Sequence, residues 1–209
     1  MSRGRGQRIA IWAIAIVLTI GTLTSFLVIV LANNNAQIDQ ARQQEQNAAY
    51  QKAIEEYQAK VEAQASELSG MYYEKFVQYA SVVQPFEASA VTELSTVDLE
   101  IGEGEEIVEG SVYSAYYIGW RPDGKIFDQS IDVDNNKLKQ PLTGGSFIEG
   151  WDQGVIGMRV GGVREITIPA AMAYGSTGAG EDIPPDTPIK FIVMIIPKVE
   201  EVPFPNLNF

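Results

Sequence analysis

The 209 residues include no cysteine and no histidine. These absences exclude disulfides, thiolate nucleophiles, Cys/His zinc sites and imidazole general bases. They leave the redox compartment open. Basic side chains are few: 15 Lys and Arg stand against 27 Asp and Glu, for a net charge of −12. A phosphate backbone demands a basic surface, so nucleic acid is excluded as a partner. No acidic residue precedes position 32, and no proline falls between 33 and 84, where Gly70 is the single glycine.

What is present begins with an apolar run. Ile9 to Leu31 is 23 residues without a charge. As a helix it has the length to cross about 30 Å of hydrocarbon. Residues 1–8 form a basic tip with Arg3, Arg5 and Arg8. The positive-inside rule then predicts a single-pass membrane protein with its N-terminus cytoplasmic and everything from 32 onward extracytoplasmic. A cleaved signal peptide is the competing reading, because Val30-Leu31-Ala32 has small residues at a suitable spacing. The run is longer than the roughly 7–15 residues of a signal core, which favours the anchor.

Residues 32–84 are rich in Ala, Gln and Glu, all good helix formers. Tyr50, Ile54, Tyr57, Val61, Gln64, Leu68 and Met71 alternate in steps of four and three, a short heptad-like seam. Tyr72, Phe76, Tyr79 and Val83 continue on a shifted face. Two arrangements fit this helical stalk: a coiled coil forming a homodimer, or one amphipathic helix lying on its own domain. Gly70 is a candidate break or kink.

The composition changes at Pro85. Residues 85–95 read as a linker, 96–199 as a domain and 200–209 as a tail. Val97 to Ile101 alternates apolar and polar, and Ser111 to Trp120 is β-prone and ends at the turn sequence Arg121-Pro122-Asp123-Gly124. Gly162–Ile168 and Ile189–Ile196 are two further strands. Phe147 to Met158 carries Phe147, Ile148, Trp151, Val155 and Met158 at helical spacing. The predicted fold is α+β: an antiparallel β-sheet wrapped around one short α-helix, preceded by the transmembrane helix and the stalk.

These segments carry a specific resemblance. Tyr117-Ile118-Gly119, then Asp123-Gly124-Lys125-Ile126-Phe127-Asp128-Gln129-Ser130, resembles the Y-x-G…DG-x-x-FD-x-S signature of the FK506-binding-protein (FKBP) type of peptidyl-prolyl cis/trans isomerase. Phe147-Ile148-Glu149-Gly150-Trp151-Asp152-Gln153-Gly154-Val155 is similar to its V-I-x-G-W-E-x-G helix. Met158 to Gly161, Ile168-Pro169 through Ala173-Tyr174-Gly175, and Ile183-Pro184-Pro185 follow in family order. Any one block is weak; five in register are specific.

The resemblance implies an isomerase that assists folding of proline-containing proteins, with neither cofactor nor metal. The alternative is a non-catalytic proline-peptide-binding or chaperone module tethered to the membrane. Expected partners are proline-containing polypeptides and FK506- or rapamycin-like macrolides. The implied catalytic set is Tyr117, Phe127, Asp128, Ile148, Trp151, Tyr174 and Phe191. Trp151 would form the floor, and Tyr117, Phe127 and Phe191 the walls. Ile148 would offer its backbone N–H, Tyr174 its hydroxyl, and Asp128 a rim carboxylate near the Tyr117 hydroxyl. Phe147, Ile183 and Leu138 would complete the substrate-binding surface. Individually these residues read as core, sheet or turn positions, and only their joint placement in the signature marks a pocket.

The chain also departs from the pattern. Leu138 and Gln140 stand where the family has aromatics, Val133 replaces a basic partner of the rim carboxylate, Ala179 aligns with a frequent His, and Asp182 replaces an apolar residue. These changes put macrolide affinity and substrate preference in question. Asp132-Val133-Asp134-Asn135-Asn136 begins like a calcium loop but has Lys137 and Thr143 where Gly and Glu belong, so it reads as a solvated turn.

Overall fold

The computed structural model describes residues 3–144 and 147–206, with side chains described for 24–34, 37–144 and 147–206. Contacts divide it into two units: Met1–Glu56 with Pro205–Phe209, and Tyr57–Phe204. Helix α1 runs from Arg3 to Val77. The Ala-, Gln- and Glu-rich composition sustains it, and Gly70 does not break it; a Cβ added there would meet nothing within 4 Å. In the first unit, Lys52 and Glu56 pair one turn apart at 4.0 Å.

The expected membrane anchor is corrected. Among the described residues no helix is long and apolar enough to cross a membrane. Of the predicted span, the side chains of 9–23 lie outside the described residues, as does the basic tip. Thr24 to Leu31 remains, eight residues rising about 12 Å against the roughly 30 Å required. The single-pass topology and the extracytoplasmic placement of the domain rested on that span and are corrected with it.

The second unit is built on an antiparallel sheet. Its strands are β1 Ser95–Glu100, β2 Ser114–Trp120, β3 Ile126–Gln129, β6 Leu142–Thr143, β7 Val163–Ile168 and β8 Ile189–Ile196. Their order is β1-β7-β8-β2-β3, with β6 pairing β2. A separate ribbon joins β4, Ile131–Asp132, to β5, Lys137–Leu138. Between them lies the segment that began like a calcium loop. It is a tight turn in which Asp132 accepts the backbone N–H and the Nδ2–H of Asn135, at 3.3 and 2.8 Å.

Strand periodicity divides the sheet into two buried faces. Along β8, Ile189, Phe191, Val193 and Ile195 enter one core, with Ile166, Ile168, Val155 and Trp151. Ile192, Met194 and Ile196 enter the other, with Tyr116, Ile118, Trp120 and Leu138. Helix α2, Glu149–Gly154, covers the first face. It lies close because Gly150 and Gly154, one turn apart, face Ile168 and Ile166; a Cβ at either glycine would collide with those side chains.

The last turns of α1 cover the second face. Phe76 is fully buried there, and Tyr72, Tyr73 and Val77 pack beside it. The Ser69 hydroxyl accepts the Leu138 N–H at 2.8 Å, and Lys75 Nζ donates to the Gly161 carbonyl at 2.8 Å while pairing with Glu100 at 2.7 Å. Tyr57 meets the Phe204 ring edge-on at 5.2 Å. Of the heptad-like seam, Tyr57 and Gln64 are engaged within the chain's own unit, Gln64 through the Glu200 carbonyl and Gln140, whereas Met71 is exposed.

Candidate active site

Eight of the ten expected site residues line one cleft. It has a volume of about 440 Å³ and is lined by Tyr117, Phe127, Asp128, Leu142, Phe147, Ile148, Trp151, Tyr174 and Phe191. Tyr117 faces this side because it alternates with buried Tyr116 and Ile118 on β2. Trp151, on α2, is 3% exposed, and Phe191, on β8, is 5% exposed. Their ring centroids are 5.1 Å apart in an edge-to-face contact. Tyr117 approaches Trp151 edge-on at 5.8 Å, Phe127 meets Phe191 at 5.6 Å, and Phe147 meets Trp151 at 5.4 Å. Gly119 makes this cage possible, since a Cβ there would fall 2.6 Å from the Phe127 and Phe191 rings.

The polar groups sit at the rim. The Tyr117 hydroxyl donates to Asp128 Oδ2 at 2.5 Å, and Asp128 Oδ1 accepts the Gln129 N–H at 2.8 Å. The carboxylate is thus oriented by these two bonds, and Val133, which the resemblance aligns with a basic partner of it, is 65% exposed. Burial first, and the Asp128 carboxylate second, push the Tyr117 hydroxyl well above its ordinary range. Burial and the Asp128 charge also raise Tyr174. Both phenols therefore remain protonated donors at neutral pH. Ile148 caps α2 in an extended conformation, its carbonyl accepting from the N–H groups of Trp151 and Asp152.

Two expected residues are not in the cleft lining. Ile183 is 4% exposed and packed in the same core as Trp151 and Phe191. Leu138 is 1% exposed and belongs to the other face, beside Phe76. Its N–H is bound by Ser69 of α1, which draws the β4–β5 ribbon to that side. Gln140 likewise donates to Gln64 of α1 at 2.7 Å. The aliphatic side chain that lines the cleft from this segment is Leu142, which pairs with Ala115 across β6 and β2.

A further residue escaped the motif comparison. Tyr113 accepts a hydrogen bond from Trp151 Nε1 at 3.1 Å and so holds the floor of the cage. It stands two and four residues before Ala115 and Tyr117, and strand alternation would have found it on their face. Beyond Phe147 lies a second cleft of about 460 Å³, lined by Ile107–Tyr113, Gly144, Asp152, Gln153, Val155 and Ile156; of the ten expected site residues Phe147 alone contributes to it.

The geometry agrees with comparisons to known proteins. Residues 103–196 match the family model described as FKBP-type peptidyl-prolyl cis-trans isomerase. An FK506-binding protein of Neisseria meningitidis serogroup A is 43% identical over 103 residues, which is 47% of this chain and 90% of that protein. FK506-binding protein 2 of Yarrowia lipolytica is 42% identical over 88 residues, 42% of this chain and 60% of that protein. Among solved structures, that of AtFKBP13 shares 36% identity over 51% of this chain and 93% of the other, with a TM-score of 0.44. A sequence match that spans nine-tenths of a relative, and an aromatic cage built from the same motifs, place this chain in the FKBP family as a peptidyl-prolyl cis-trans isomerase.

Proposed function

We propose that the cleft catalyses rotation of Xaa-Pro bonds in polypeptides by binding the twisted amide, without covalent chemistry, and so assists folding of proline-containing proteins. The barrier to rotation is about 18–20 kcal/mol because amide resonance is lost. A catalyst must favour the twisted form over both planar ones. The twisted carbonyl is less polar than the planar amide, so a dry aromatic enclosure penalises it less. Lowering the barrier by about 5 kcal/mol accelerates rotation several thousand-fold.

The observation that carries this reading is the aromatic cage of Tyr117, Phe127, Trp151 and Phe191, with one oriented carboxylate at its rim. In the proposal, Trp151 supports the proline ring and the other three rings flank it. The Ile148 N–H and the Tyr174 hydroxyl bind substrate carbonyls. Asp128 is a fixed negative charge beside the twisting amide, and Phe147 and Leu142 border the neighbouring substrate residues.

The test is a protease-coupled assay with an Xaa-Pro tetrapeptide on the full chain. We expect a rate above the spontaneous one, loss of at least about tenfold in kcat/KM for Trp151→Ala, and competition by FK506. A folded chain that binds proline peptides yet leaves the spontaneous rate unchanged is a binding module, and the catalytic proposal fails.

A further inference from the structure

The segment from Ala170 to Pro188 carries Tyr174 at the cleft and returns through buried Ile183. Its backbone bonds are largely internal. Ala179 and Ile183 exchange N–H···O bonds at 2.8 and 3.0 Å, and the Asp186 N–H reaches the Gly175 carbonyl at 2.8 Å. Among the described residues, only two hydrogen-bonded ties run from residues 174–187 to the rest of the protein. Both end on Asp182. Lys125 Nζ pairs with its Oδ1 at 3.0 Å, and Arg121 Nη1 donates to its carbonyl at 2.7 Å.

The two cations come from one short turn. Asp123 aligns them: its Oδ2 accepts Arg121 Nη2 at 2.6 Å, and its Oδ1 accepts the Lys125 N–H at 3.0 Å. Arg121 directly follows β2, and β3 begins one residue after Lys125 and supplies Phe127 and Asp128. The pair of ties therefore spans from the strand that walls the cleft to the loop that borders it. Asp182 is adjacent to Ile183, so holding Asp182 also fixes where Ile183 enters the core.

We infer that Arg121, Lys125 and Asp182 form a clamp that positions the loop bearing Tyr174 and Ile183 over the proline cleft, setting substrate affinity in preference to the rate of bond rotation. The inference rests on the cleft being the substrate site. None of the three side chains lines the cleft, so each is a positioning residue. The Lys125 and Asp182 side chains are 56% and 60% exposed, which limits the effect of breaking that pair to about two- to fivefold. Arg121 is 16% exposed and its bond to a carbonyl is charge-assisted, so its loss is the larger, about tenfold.

The experiment uses the full chain with Lys125→Ala, Asp182→Ala, their double variant, Arg121→Ala, and the swapped pair Lys125→Asp with Asp182→Lys. KM and kcat are measured on an Xaa-Pro peptide, and hydrogen exchange at the Ala179 and Ile183 amides. We expect KM to rise in each single variant with kcat within about twofold. The double alanine variant matches the singles, the swapped pair returns toward the parent, and exchange at both amides quickens in the singles. Additive effects on KM, a fall in kcat at constant KM, or unchanged amide exchange overturns the clamp. Exchange is read without turnover, so a chain lacking activity would sink the catalytic proposal while the amides still decide the clamp.

Discussion

Trp151 presents its ring to the cleft and its N–H to Tyr113, and the second role is the easier to overlook. Burial raises the Tyr113 hydroxyl above its ordinary value, so across neutral pH it stays a neutral acceptor for that N–H. Replacing Tyr113 by Phe leaves a buried indole N–H without its partner. The expected cost is about 1–3 kcal/mol of stability. The same substitution is expected to raise KM for the tetrapeptide and to alter the near-ultraviolet dichroism of Trp151. Unchanged dichroism together with an unchanged melting point would show that Tyr113 does not hold the floor.

At the scale of elements, α1 is part of the core. Phe76 is fully buried against Tyr116 at a centroid distance of 6.2 Å, whereas Met71, five residues earlier, is 57% exposed. Phe76→Ala is expected to destabilise the protein by about 3–5 kcal/mol, read from denaturant unfolding. Met71→Ala is expected to stay within about 0.5 kcal/mol. Equal effects would mean that the helix does not dock. A truncation at residue 86 would strip this layer and bare the Tyr116, Ile118 and Met194 face, which is why the assays use the full chain.

The contribution of α1 also explains what could and could not be read from the residues. Motif blocks from Tyr117 to Phe191 were legible because each is local: a turn, a short helix, a strand pair. Alternation and helical spacing foretold the sheet and α2, and the family resemblance that the blocks carry named eight of the residues lining the cleft. Leu138 was assigned to the cleft by its place in the motif order, but its partner is Ser69, 69 residues earlier. No local pattern encodes that bond. Leu142 was passed over for the same reason, since only the pairing of β6 with β2 turns it inward. The anchor reading relied on hydropathy over 9–31 alone, and the described part of that run is too short to carry it.

At the scale of the whole second unit, acid is expected to loosen the docked helix. Lys75 bonds Glu100 and holds its carboxyl below the ordinary value of 4.5, and Tyr79 donates to the same carboxylate at 3.0 Å. A carboxyl whose folded value is lowered contributes stability above its unfolded value and loses it as pH falls through the folded one. The contribution is therefore present at neutral pH and lost progressively below about 4.5. Both side chains are over a third exposed, so solvent screening keeps it modest. Unfolding midpoints at pH 7 and pH 3.5 test this, with Glu100→Gln expected to narrow the difference between them. An unchanged difference would remove Glu100 from the acid response.

β8 serves two masters with alternate residues. Phe191 and Val193 belong to the core on the cleft side, and Ile192 and Met194 to the side that α1 covers. Because strand faces alternate one residue at a time, both assignments share a single reading frame. A slip of one position would exchange the pocket wall for the helix dock and spoil both at once. The wall of the cleft and the dock of the last turns of α1 are thus inherited together, and neither can drift by insertion or deletion in this strand without the other.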